Sequence, residues 1–102
     1  MIKNFQTYDL AIKLYRQVIT LQTPSHMREQ LTRAAQSIVL NLAEGSGKPS
    51  QTEKARYYSI AFGSVREVQA ILDLAQPDDK KLIDLADHVG ACVYKLAFCK
   101  AH

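Results

Sequence analysis

Apolar positions along the chain recur at steps of three and four, and short breakers divide them into four stretches. This periodicity predicts helices at about Thr7–Leu21, His26–Ser46, Gln51–Ala75 and Asp78–Lys100. Thr23-Pro24-Ser25 stops the first. Gly45 and Gly47 with Pro49 end the second, because glycine accepts left-handed angles and proline cannot continue a helix. Ser50-Gln51-Thr52-Glu53 reads as a capping box opening the third, and Gln76-Pro77 closes it with Asp78 placed to cap the fourth. Strand-like alternation, internal repeats and low-complexity tracts are absent from the sequence.

The third and fourth stretches each carry a seven-residue seam. Tyr58, Ala61, Val65, Val68, Leu72 and Ala75 form one; Leu82, Leu85, Val89, Cys92, Leu96 and Cys99 form the other. In the second stretch Leu31, Ala35, Ile38 and Leu42 share a core face. Short loops make neighbouring helices antiparallel, so the expected fold is all-α, an antiparallel up-down four-helix bundle in one domain over residues 1–102. The first helix is apolar over more than a bundle stripe. Tyr8, Ile12, Tyr15 and Ile19 widen the arc of Leu10, Leu14, Val18 and Leu21, and the fourth is widened by Ile83, Ala86, Val93, Tyr94 and Ala97. That surplus predicts a homo-oligomer, with Tyr8, Ile12, Tyr15 and Ile19 as interface candidates; the competing expectation is a skewed bundle that buries them within one chain.

Composition sets limits on function. With 102 residues, 47% hydrophobic and 23% charged, the chain suits one globular domain rather than a disordered segment. No apolar run is long enough to span a bilayer, and Met1–Phe5 lacks a secretory apolar stretch, so no membrane role and a cytoplasmic location are expected. Cys92 and Cys99, seven residues apart on one helix, stand roughly 10 Å apart along its axis. They read as small buried hydrophobes rather than a disulfide. The net charge of +3 lies in residues 1–50, which hold six Lys/Arg against three Asp/Glu.

Lys13, Arg16, Lys48, Lys54 and Arg56 are the nucleic-acid-binding candidates; each alone suits a solvated surface, but the expected oligomer multiplies the charge. Arg33, Ser37, Asn41 and Glu44 fall on one narrow strip of the second helix. Such a strip suits either a ligand or a structural hydrogen-bond network fixing register, and the second agrees better with Gly63-Ser64, small residues that admit a close neighbour, and with Glu67 placed to answer Arg33. Catalysis finds no pattern: His26, His88 and His102 are scattered, and Asp84, Asp87 and His88 suit an exposed polar face better than one arm of a metal site. Tyr57 and Tyr58 read as one interface and one core residue.

The ordered set Arg33-Ala34-Ala35, Ser37-Ile38, Asn41, Ala43-Glu44-Gly45, Ser50, Glu53, Ala61, Gly63-Ser64 and Glu67 resembles the four-helix-bundle family encoded in 23S ribosomal RNA intervening sequences. That family is similar in turn to the accessory variability proteins of diversity-generating retroelements. The resemblance covers nearly the whole chain. It implies a ring-like homopentamer without known catalysis; no metal or cofactor is expected, since the sequence carries no motif for either. In the retroelement relatives it implies basic surface presented to RNA or DNA and to a reverse transcriptase. Two functions are therefore expected: an oligomeric scaffold for nucleic acid or a nucleoprotein, or a protein-only interaction module such as an accessory subunit of a reverse transcriptase.

Overall fold

Proline and the residues beside it set the segment boundaries in the computed structural model, which describes residues 2–99. Four helices follow in order: α1 Gln6–Val18, α2 Ser25–Ser46, α3 Gln51–Ala75 and α4 Lys80–Phe98. Consecutive helices pack on one another, and α1 closes on α4, so the diagonal pairs stay apart and the bundle is up-down.

The helix ends are local chemistry. The expected α1 end at Leu21 comes early, because the Thr20 hydroxyl donates to the Gln17 carbonyl (3.0 Å) and the chain tightens into turns after Val18. Ser50 caps α3 by accepting from the Glu53 N–H at 3.2 Å. Its hydroxyl also meets Glu53 Oε1 at 3.2 Å, so the box closes through the serine hydroxyl. Asp79, not Asp78, caps α4 by accepting from the Leu82 N–H at 3.0 Å. α2 ends at Ser46 with Gly47 at φ −89°, and no described glycine is left-handed; the non-glycine Gln76 takes that conformation (φ 48°) to end α3. The expected end of α4 near Lys100 lies outside the described residues.

Apolar side chains from all four helices form one core, with Leu14, Leu31, Ile38, Leu42 and Leu82 fully enclosed. The α2 face is buried as read, and the α3 seam is buried as far as Leu72, with Ile71 added and Ala75 half-exposed. In α4 the seam is turned. Leu82, Ala86, Val89 and Val93 are buried, Leu85, Cys92 and Leu96 are half-buried, and Cys99 is exposed. The cause is Gly90, which is buried against α3: a Cβ there would meet Val65 Cγ1 at 3.1 Å. Ala86 and Gly90 let α4 approach α3 with its small-residue side. Both cysteines are free.

Gly63 does not play that part. It lies where a Cβ would find nothing within 4 Å. Gly45 does: it lies buried inside α2, and a Cβ there would stand 2.7 Å from Tyr58 Cε1.

Candidate nucleic-acid interface

Up-down topology brings three distant segments to one end of the bundle: the chain start, the α2–α3 turn and the last turns of α4. Phe5 folds over this end, stacking on Tyr8 with centroids 6.1 Å apart and meeting the Tyr58 ring edge-on at 6.2 Å. Burial raises the Tyr58 pKa, which keeps the phenol neutral. Beside these rings opens a cleft of about 1250 Å³ whose lining includes Lys3, Lys54 and Lys95. Among the described residues, no Asp or Glu lines it. Lys54 Nζ donates to the Ser46 carbonyl at 3.0 Å, covering the negative end of α2 while two of its three donors stay available. Gln51 and Thr52, in the first turn of α3, add the positive end of that helix to the same wall.

The five basic candidates therefore separate. Lys54 lies in the cleft. Lys48 sits at the same end but is committed: its ammonium pairs with Glu44 Oε2 at 3.4 Å and stands 5.1 Å from the Tyr57 ring centroid. The Tyr57 oxygen first, then the Glu44 carboxylate, hold its pKa above the ordinary lysine value. Arg56 is exposed on α3, while Lys13 and Arg16 lie along α1, roughly 10 to 15 Å of helix rise from its start. Lys3 and Lys95 were not among the candidates. The sequence signal for them was the topology, since an up-down bundle returns the end of α4 to the chain start.

The polar strip on α2 also divides. Ser64 donates to Ser37 Oγ at 2.7 Å, which joins α3 to α2, and Asn41 Nδ2 donates to the Ser37 carbonyl at 2.9 Å within α2, bracing that serine from one turn on. Arg33 turns outward to Glu29 (2.7 Å) instead of Glu67, because the i,i+4 partner on its own helix is nearer than any residue across the groove. Glu44 belongs to Lys48.

Of the interface candidates, Tyr8 and Tyr15 are half-buried against the core, Ile12 is half-buried, and Ile19 is 43% exposed. The more exposed apolar side chains lie elsewhere: Leu40 and Ile60 on α2 and α3, Leu74 near the opposite end, and Tyr94 and Phe98 on α4. Asp84 pairs with Lys80 at 2.9 Å and Asp87 accepts from Gln69 at 3.1 Å. Among the described residues no three His, Cys, Asp or Glu side chains are grouped to hold a metal, and no helix is long and apolar enough to cross a membrane. His102 lies outside the described residues.

A family model described as 23S rRNA-intervening sequence protein matches residues 3–89, which includes the first three helices and half of α4. No curated protein matches the chain.

Proposed function

The chain belongs to the 23S rRNA-intervening sequence protein family, and from that premise we propose that it is a non-catalytic, cytoplasmic, homo-oligomeric scaffold that binds nucleic acid through its basic bundle end. The observation that carries the binding is the cleft with three lysines and, among the described residues, no Asp or Glu in its wall. Phosphate is the anion such a wall fits best, because ammonium groups gain by releasing condensed counterions from a polyanion. Assembly is supported by Ile60 and Leu74, apolar side chains about half exposed or more, whose contact with water a second copy would reduce. Five copies, the number the family resemblance implies, repeat the cleft around a ring and multiply weak contacts into avidity.

The reading is tested with labelled structured RNA and duplex DNA in a salt series. With about three phosphate contacts per cleft, affinity falls roughly 20- to 40-fold between about 50 and 200 mM salt. Lys54→Gln weakens binding to every sequence alike and flattens the salt slope by about one contact. Absence of binding at the lowest salt overturns the proposal.

A further inference from the structure

A ring cluster on the outer groove between α3 and α4 runs into the lysine cleft. Phe62 meets Tyr94 edge-on at 5.6 Å and Phe98 at 5.6 Å, and Tyr94 and Phe98 are 5.1 Å apart with planes tilted by 51°. Tyr94 is 50% exposed and Phe98 53% exposed, so each keeps a large part of its surface in water. Phe98 belongs to both features, since it also lines the cleft with Lys3, Lys54 and Lys95. The core is closed without Tyr94 and Phe98.

We propose that this aromatic step and the lysine cleft together form a site for single-stranded nucleic acid, with unpaired bases stacking on Tyr94 and Phe98 and the adjoining phosphates held by Lys3, Lys54 and Lys95. The proposal rests on the nucleic-acid reading above and names the strand class it takes. Two chemistries meet at Phe98. Cations without carboxylates select a polyanion, and exposed ring faces select planar partners. Only a strand with unpaired bases offers both at once, because in a duplex the base faces are already covered by their neighbours. An acidic protein segment satisfies the lysines but gives the rings no planar partner. A second copy of the chain, with its own three lysines, meets like charge at the cleft.

The test compares a single-stranded homopyrimidine of about 15 nucleotides with a duplex of equal length, titrated against full-length wild type and Tyr94→Leu/Phe98→Leu. Leucine keeps apolar bulk and removes the ring face. Wild type is expected to bind the single strand. The double variant is expected to lose about 10- to 100-fold of that affinity while duplex binding changes less than about twofold. Equal single-strand affinity in both proteins, or wild-type binding of duplex alone, overturns this inference and leaves the broader reading standing. Loss of all binding by wild type at low salt overturns both. A fall in the variant's solution mass toward that of one subunit assigns the rings to self-association and overturns the inference. Should the variant fail to fold, photo-crosslinking of a bromopyrimidine strand to wild type decides. Adducts at Tyr94 or Phe98 support the site, and adducts confined to α1 contradict it.

Discussion

Leu42→Ala lowers the stability of the bundle by about 2–5 kcal/mol, whereas Leu40→Ala, two residues earlier on the same helix, changes the stability of the single bundle by less than about 0.5 kcal/mol. Leu42 is fully enclosed among side chains of the common core, and Leu40 is 58% exposed. Truncating an enclosed leucine forfeits its transfer free energy and leaves a cavity that the rigid helices only partly refill. Truncating an exposed one removes little that water was not already touching. For a domain of this size, the first change moves the melting temperature down by roughly 10 °C or more. Paired thermal melts read the contrast. Equal shifts mean that α2 is turned away from the face described.

The second large effect is a reversal of sign between two glycines. Alanine in a helix interior gains about 1 kcal/mol over glycine by limiting the unfolded backbone. At Gly63 nothing stands near the new methyl, so Gly63→Ala stabilises by about 0.5–1 kcal/mol. At Gly45 the methyl meets Tyr58 Cε1 at 2.7 Å, Tyr58 Cδ1 at 3.0 Å and Tyr57 Cβ at 3.1 Å. Tyr58 is 7% exposed and held by Phe5, so its ring has little room to retreat. Gly45→Ala therefore destabilises by about 1–3 kcal/mol despite the propensity gain. Denaturant titrations of both variants check the signs. Two shifts in the same direction contradict the packing of α2 on α3.

The α2 face of Leu31, Ala35, Ile38 and Leu42 and the α3 seam from Tyr58 to Leu72 follow from periodicity alone, and both are buried. α3 keeps its expected bounds because the Ser50 cap and the Pro77 break act within a few residues. Roles set by a partner helix were not legible. Gly45 read as a helix stop, but the Tyr58 ring across the α2–α3 interface makes it a packing residue. Gly63 read as a close-approach position, and that part falls to Gly90, whose neighbour Val65 lies 25 residues away in sequence. The turn of α4 by one seam follows from that contact.

The candidate site shows the same division. Lys54 was legible as a cation in the first turns of α3. Its companions Lys3 and Lys95 sit near opposite ends of the chain, so only the closed topology brings them to one cleft. The strip Arg33, Ser37, Asn41 and Glu44 reads as a register-fixing network, and of its members Ser37 joins α3, through a 2.7 Å hydrogen bond from Ser64. Arg33 and Glu44 dropped out of it because each found a partner four residues away on its own helix or just beyond its end. Local ion pairs of this kind form readily and compete with any longer-range role.

Avidity and ring display both require several copies, so solution mass bears on the central claim most directly. Light scattering on the purified wild-type chain, whose subunit is 11.5 kDa, is expected to give a multiple of that mass near five. A well-folded species of one subunit mass at working concentration contradicts the account, since a single cleft with three lysines gives a polyanion too few contacts to be held.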